Sequence, residues 1–215
     1  LDSARSAGAR DAAVFPAPLA AGLGAGLNID EPKGRLILDM GAGATQIAVL
    51  SLGGIVVQRC VRLGGDDLDE ALTTWLRGRR GVVVGVSQCR ELREQAGASK
   101  EPVAVRGRDI QTGRPRQTQL SAADLSEAIQ DQLTRVRDAL LAVLSETPPE
   151  LAGDIHAAGI VLCGGCAHSR LLGHLLRSST GLAVARSANP ETAVIRGAAL
   201  LLENPTLLER VCNTR

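Results

Sequence analysis

The chain has 215 residues, 45% of them hydrophobic, with a formal net charge of +1. That is enough apolar material for one large domain or two small ones, and the balanced charge argues against a nucleic-acid partner, which calls for a basic face with aromatic platforms. Phe15 and Trp75 are its only aromatic residues, so the core falls to Leu, Val, Ile and Ala, and stacking of bases on protein rings is not expected.

No run approaches the roughly 18 apolar residues of a membrane span, and the opening residues Leu1 and Asp2 have no leader-like pattern, so a cytoplasmic address is expected. Five cysteines, an odd number without a secretory signal, read as reduced thiols and not as a disulfide framework. The missing initiating Met fits a fragment, a processed chain or a trimmed one.

In chain order, the small apolar stretch from Ala12 to Ile29 predicts a helix, and Gly22, Gly24 and Gly26 would let it approach another backbone closely or end early. Three strands follow: Arg35 to Met40, Thr45 to Ser51, and Ile55 to Val61, the last two joined by Gly53-Gly54, whose residues can both take positive φ. Leu68, Ala71, Leu72, Trp75 and Leu76 have the spacing of one buried helical stripe, with acids at its start and Arg77, Arg79 and Arg80 at its end, as the helix dipole favours. A short helix from Ser87 to Ala96 precedes a Pro- and Gly-punctuated hairpin excursion from Glu101 to Leu120.

Residues 122 to 146 give the longest helix, with Leu125, Ile129, Leu133, Val136, Leu140 and Val143 on one face. Thr147-Pro148-Pro149-Glu150 has the T-x-x-E capping pattern and predicts a new helix start. Then come a strand from Gly159 to Cys163, a Gly164-Gly165 turn, a helix from Ser169 to Ser178, a strand from Leu182 to Ala185 and a helix from Glu191 to Glu203. The order is a mixed α/β plan with helices on both faces of a sheet, and no solenoid-like repeat is visible.

Two glycines in Asp39-Met40-Gly41-Ala42-Gly43-Ala44-Thr45, between two strands, allow backbone N–H groups to converge as they do around phosphates. Asp39 at the strand end could hold a hydrated Mg²⁺. The plainer alternative is a glycine hairpin with an Asp at its mouth. A second strand-turn-helix junction at Gly164-Gly165-Cys166, and a third glycine pair at Gly64-Gly65-Asp66, suggest one shared crevice.

The strings Asp39 to Gln46, Ser51-Leu52-Gly53-Gly54-Ile55-Val56, and Gly64-Gly65-Asp66 with Asp69-Glu70-Ala71 resemble the MreB-type bacterial actins. Arg106-Gly107-Arg108-Asp109, Thr112-Gly113, Pro115-Arg116, Thr147 to Ala152 and Leu162-Cys163-Gly164-Gly165 extend the resemblance, which runs from about Gly8 to Glu203. It implies an α/β actin-like ATPase-domain fold (ribonuclease H-like), mainly the second lobe with a small inserted subdomain. The divisions would be 1–33, a remnant of the first lobe; 34–84, second-lobe core; 85–120, the inserted subdomain; 121–203, second-lobe core continued; and 204–215, a tail. The wider group of actins, heat-shock chaperones and sugar kinases is the fallback for the fold.

The same resemblance implies ATP and Mg²⁺ as cofactors, self-assembly into filaments or with other actin-like subunits, a role in cell shape and wall growth, and membrane-associated morphogenesis proteins as partners. By position, Asp39, Gly41, Ala42, Gly43, Ala44 and Thr45 would meet the phosphates and metal, with Mg²⁺ on Asp39 through water. Gly64, Gly65 and Asp66 would lie by the ribose, Arg90 and Arg93 on the nucleoside side, and Gly164, Gly165, Cys166 and Ala167 at the adenosine.

Departures from the family pattern point to weak hydrolysis. Its first phosphate loop has no counterpart here, and Pro16 and Ala17 in Phe15-Pro16-Ala17-Pro18 stand where the catalytic glutamate is expected, so no catalytic residue is assigned. Ala42, Ala44 and Gln46 replace Gly, Thr and Glu; Arg90 and Arg93 replace Glu and Lys, putting donor-only groups on the ribose side; Cys166 replaces a third Gly. Cys163-x-x-Cys166 with His168 and His174 could instead ligate Zn²⁺, or Cys163 could be a small buried hydrophobe. The arginines at 106, 108, 114 and 116 could meet lipid phosphates or a partner's acids, or form a solvated face. Three function classes follow: filament subunit or modulator, active ATPase, and nucleotide-free interaction module.

Overall fold

The structure is a computed structural model that describes residues 1–99 and 101–213. Its main sheet has strand order β3-β2-β1-β7-β8, formed by β1 (Arg35–Met40), β2 (Thr45–Ser51), β3 (Gly54–Val61), β7 (Ile160–Cys163) and β8 (Val184–Arg186). β1 and β2, and β2 and β3, pair antiparallel, while β7 pairs parallel with both β1 and β8. The period-2 alternation of side chains sends β1 and β2 residues into two cores. Leu36, Leu38, Met40, Ile47 and Val49 pack with α3 (Gly65–Trp75), α5 (Ala122–Glu146) and α7 (Arg170–Thr180) on one face. Ile37, Ala48 and Leu50 face α2 (Ala17–Gly24) and α8 (Ala193–Glu203) on the other.

The longest helix, α5, forms as its heptad-like spacing predicts. Leu125, Ile129, Leu133, Val136, Leu140 and Val143 are all buried, each contributing roughly 1.5–3 kcal/mol relative to exposure. Its start is fixed by Ser121, whose Oγ accepts from Asp124 N at 3.1 Å while Asp124 Oδ2 accepts from Ser121 N at 3.0 Å. A second, three-stranded sheet comprises β4 (Val82–Val83), β5 (Val103–Asp109) and β6 (Pro115–Leu120), with α4 (Val86–Ala98) between β4 and β5.

Several expectations are corrected. The helix expected from Ala12 to Ile29 spans only Ala17–Gly24, because Pro16 and Pro18 admit a helix only from its first turn onward and Gly26 takes φ +80°. The positive-φ pair of the β2–β3 hairpin is Leu52 and Gly53, at +50° and +73°, and Gly54 already belongs to β3. Thr147 is the C-cap of α5 and not the N-cap of α6 (Pro149–Ala158): its hydroxyl donates to Val143 O at 2.7 Å, and Pro148 is the N-cap of α6. β4 was not foreseen, nor were α1 (Asp2–Ser6) and α9 (Pro205–Asn213), and α3 runs on into a π-helical turn at Leu76–Arg80. Before α8 comes a separate 3₁₀ turn at Pro190–Thr192.

Candidate functional site

The carboxyl ends of β1 and β7 lie side by side, with Asp39 in register with Cys163. The two turns that follow are in direct contact. A Cβ at Gly164, whose φ is +80°, would fall 2.2 Å from Met40 O, so only glycine fits there. Gly41 N donates to Ala44 O at 2.9 Å and closes the first turn. The loop before α3 is bonded onto it: Gly65 N donates to Gly41 O and Asp66 N to Ala42 O, both at 2.9 Å, and a Cβ at Gly64 would lie 2.2 Å from Ala42 O. Cys166 Sγ lies 3.7 Å from Gly41 O. The three glycine turns therefore meet at one place.

The N–H groups of Ala42, Gly43 and Ala44 have no partner among the described residues, which leaves a run of donors at the turn of the kind that holds anions. Gly165 and Cys166 open a 3₁₀ turn, Gly165–His168, and their N–H groups have no partner within it. Asp39 has no hydrogen bond or ion pair among the described residues, and burial pushes its carboxyl above the usual carboxylate range. Cys163 behind it is fully buried, and its thiol is pushed up to about 12 by burial and by the Asp39 charge, against a hydrogen bond with Ser187 that lowers it. A half-buried carboxylate without a partner beside open backbone donors fits a hydrated Mg²⁺ and its anionic ligand.

Two of the sequence-derived candidates face elsewhere. Thr45 is fully buried and its hydroxyl donates to Leu63 O at 2.7 Å, so its side chain serves the fold and not the open turn. Ala167 is packed into the main core, with its N–H on Gly164 O.

Asp69, fully buried on α3, accepts from Arg93 Nε at 2.7 Å and from Arg90 Nε at 3.3 Å, and Arg90 Nη2 also reaches Asp66 at 2.9 Å. Desolvation of this carboxylate is offset by the two guanidiniums. A cavity of about 310 Å³ is lined by Gly41, Ala42, Gly65, Arg90, Arg93 and Cys166, among others. Arg93, Glu94, Gly165 and Glu191 are common to it and to an outer cavity of about 380 Å³ that also takes in His168, Ser169 and Arg170. Arg170 Nη1 donates to Ala98 O at 3.1 Å and so joins α7 to the end of α4.

Sequence reasoning missed Asp69 as the buried anchor, and Glu94, Arg170 and Glu191 as lining residues. Asp69 offered one signal, its i+3 spacing from Asp66 on a helix that would have to turn it inward. The Zn²⁺ alternative finds no support: among the described residues no three His, Cys, Asp or Glu side chains come together, and His168 lies between Arg186 at 3.1 Å and Glu191 at 3.3 Å. Pro16 and Ala17 line a separate cavity of about 390 Å³ with Gln46, Gln58 and Arg59, and no carboxylate is part of that lining.

Comparison with known proteins agrees with this architecture. The profile of the MreB/Mbl protein family matches residues 1–210. The chain is 38% identical over 207 residues to the cell shape-determining protein MreB of Escherichia coli K12, a match covering 94% of the chain and 60% of that protein. It is 29% identical to the cell shape-determining protein Mbl of Bacillus subtilis 168, over 94% of the chain and 62% of Mbl. Among solved structures, ADP-bound MreB5 of Spiroplasma citri superposes with a TM-score of 0.90 at 28% identity, covering 99% of the chain and 65% of MreB5. The double-helical MamK filament shares the fold at a TM-score of 0.70 and 23% identity, over 87% of the chain and 58% of MamK. The chain thus spans about 60% of the length of the curated relatives it matches, and its fold is the actin-like α/β fold. It belongs to the MreB/Mbl family.

Proposed function

We propose that this chain is the nucleotide-holding second lobe of a filament-forming cell-shape protein, binding ATP or ADP with Mg²⁺ and hydrolysing slowly or not at all. The observation that supports it best is the meeting of three glycine turns, at Gly41–Ala44, Gly64–Asp66 and Gly164–Cys166, around backbone donors and an Asp39 carboxylate that have no partner among the described residues. In this reading the phosphates lie on the Ala42–Ala44 turn, Asp39 orients the metal's water shell, and the nucleoside extends past Arg90 and Arg93 into the outer cavity. The same proposal covers the lobe divisions at residues 33, 84, 120 and 203. Bound nucleotide is a property of the MreB5 structures, solved with ADP and with AMPPNP, and filaments one of MamK.

Slow hydrolysis rests on Pro16 and Ala17, neither of which has a side-chain carboxylate or amide to orient an attacking water. Among the described residues no helix is long and apolar enough to cross a membrane.

A second reading, a nucleotide-free interaction module, is favoured by Cys166, whose side chain fills the gap between the Gly41 and Gly65 backbones. Calorimetric titration with Mg-ATP, on this chain and on Asp39→Ala, separates the two. Binding that is lost or at least tenfold weaker in the variant supports the nucleotide site. A folded chain that shows no heat and no thermal shift with Mg-ATP or Mg-ADP sinks it in favour of the module.

A further inference from the structure

Resting on the nucleotide reading above and on its slow-hydrolysis branch, we infer that Gln46 orients the attacking water, its side-chain amide standing in for a group that Pro16 and Ala17 cannot supply. The placement follows from strand geometry. Gln46 is directly opposite Asp39 in the β1–β2 ladder and directly opposite Cys60 in the β2–β3 ladder. The three side chains therefore form a row on one face of the sheet, with neighbouring Cβ atoms about 4.5–5.5 Å apart. It is the face of Ile37, Ala48 and Leu50, which packs towards α2. Thr45, one residue earlier, points the other way and gives its hydroxyl to Leu63 O. Gln46 is thus the first side chain of β2 to share the face of Asp39.

The same residue lies across from the start of α2. It lines a cavity of about 390 Å³ together with Pro16, Ala17, Gln58, Arg59 and Cys60, among others. The Pro and Ala side chains there have no donor or acceptor, and a thiol is a weak one. Arg59 is paired with Glu146. Gln58 stands opposite Ala48, two residues and roughly 7 Å further from the Gly41–Ala44 turn. Gln46 is half-buried, and its amide has no hydrogen bond among the described residues.

In the nucleotide reading the nucleoside lies on the side of Gly41 and Ala42, which line the inner cavity with Arg90 and Arg93. The phosphates then run along the turn from Ala42 to Ala44, and the terminal one ends beside the start of β2, which carries Gln46. An amide is suited to orienting a water and not to taking its proton: the carbonyl accepts from a water hydrogen while the NH₂ donates to a phosphate oxygen. In the step so assisted, the water oxygen bonds to the terminal phosphorus as the bond from that phosphorus to the bridging oxygen breaks. The bridging oxygen leaves with the electron pair, and the water's proton passes to the released phosphate. Gln46 itself takes no proton, which keeps the rate below that of a site with a positioned base.

The test uses this chain, Gln46→Ala and Gln58→Ala. It measures Mg-ATP turnover beside calorimetry with Mg-AMPPNP, with Mg-ADP, and with Mg-ADP plus aluminium fluoride, which mimics the phosphoryl group in transfer. Gln46→Ala is expected to lower kcat about tenfold or more, with KM and AMPPNP affinity within about twofold of the native chain. It should also lose the tighter binding of the aluminium fluoride complex over ADP that the native chain shows. Gln58→Ala should match the native chain in both. Unchanged AMPPNP affinity shows that a loss of turnover is not misfolding. If AMPPNP binds, but the native chain neither turns over ATP above the buffer blank nor prefers the aluminium fluoride complex, the inference fails while the nucleotide reading stands. It fails equally if Gln46→Ala keeps both properties or Gln58→Ala loses them as fully. If no nucleotide binds to the folded chain, both readings fail.

Discussion

Gly197 on α8 lies so close to Ala20 on α2 that a Cβ at position 197 would fall 1.8 Å from the Ala20 carbonyl oxygen, and a Cβ at Gly24 would fall 1.8 Å from Ala193 O. The two helices cross backbone to backbone, and the contact is reciprocal. Gly197→Ala must push them apart and should cost about 1–3 kcal/mol or more. A chemical melt of Gly197→Ala beside the exposed-site control Gly153→Ala checks this; equal stability of the two would show that the helices slide at no cost.

Asp69 and Arg93 form a buried pair, 0% and 8% exposed, at 2.7 Å. Removing one partner of such a pair leaves the other charge unpaired and costs about 3–5 kcal/mol. Asp69→Asn should therefore destabilise the chain strongly in urea melts. A loss below about 1 kcal/mol would mean that Arg93 escapes to water through the neighbouring cavity.

Asp39 predicts the reverse, a stabilising substitution at a candidate site. Burial raises its folded pKa above the unfolded value, so the neutral form is the one that the fold favours. Its contribution is fully present below the unfolded carboxylate pKa and is lost as pH rises through the folded one. Asp39→Asn should raise the Tm of the ligand-free chain at pH 7, and the gain should shrink towards pH 3. Thermal melts across that range decide it; a lower Tm at pH 7 would mean that the ionised carboxylate is stabilised by a contact the fold does not show.

The five thiols should react in order of exposure and thiolate fraction. Cys60 is exposed, whereas Cys89, Cys163 and Cys166 are buried and each has its pKa raised chiefly by burial. At pH 8 a thiol held near 12 is about one part in ten thousand thiolate. Mass spectrometry after brief alkylation should find Cys60 modified first and Cys163 only after unfolding. Early modification of Cys163 would show that the strand carrying it opens readily.

The elements read correctly from the sequence were those whose signal is local. The α5 stripe from Leu125 to Val143 and the apolar runs of Arg35–Met40 and Thr45–Ser51 declare themselves within one element. The glycine turns at 41–43, 64–65 and 164–165 were legible because strand ends followed by glycines are uncommon without a close approach to explain them. The misses are positions where a neighbour decides. Thr147 could cap α6 or bond back to α5, and the α5 carbonyl of Val143 wins. Val82–Val83 is a strand only because it pairs with Arg108 and Asp109 of the later hairpin.

The sequence by itself determined the family, the helix and strand periods and the three glycine turns, because each of these depends on neighbouring residues and on local sterics. Tertiary structure alone decided that the turns are hydrogen-bonded to one another, that Asp69 faces inward to hold two arginines, and that Thr45 spends its hydroxyl on Leu63. Those outcomes depend on which surface a residue meets across the fold, and burial in a low-dielectric interior obliges each polar group to take the partner that packing brings within reach.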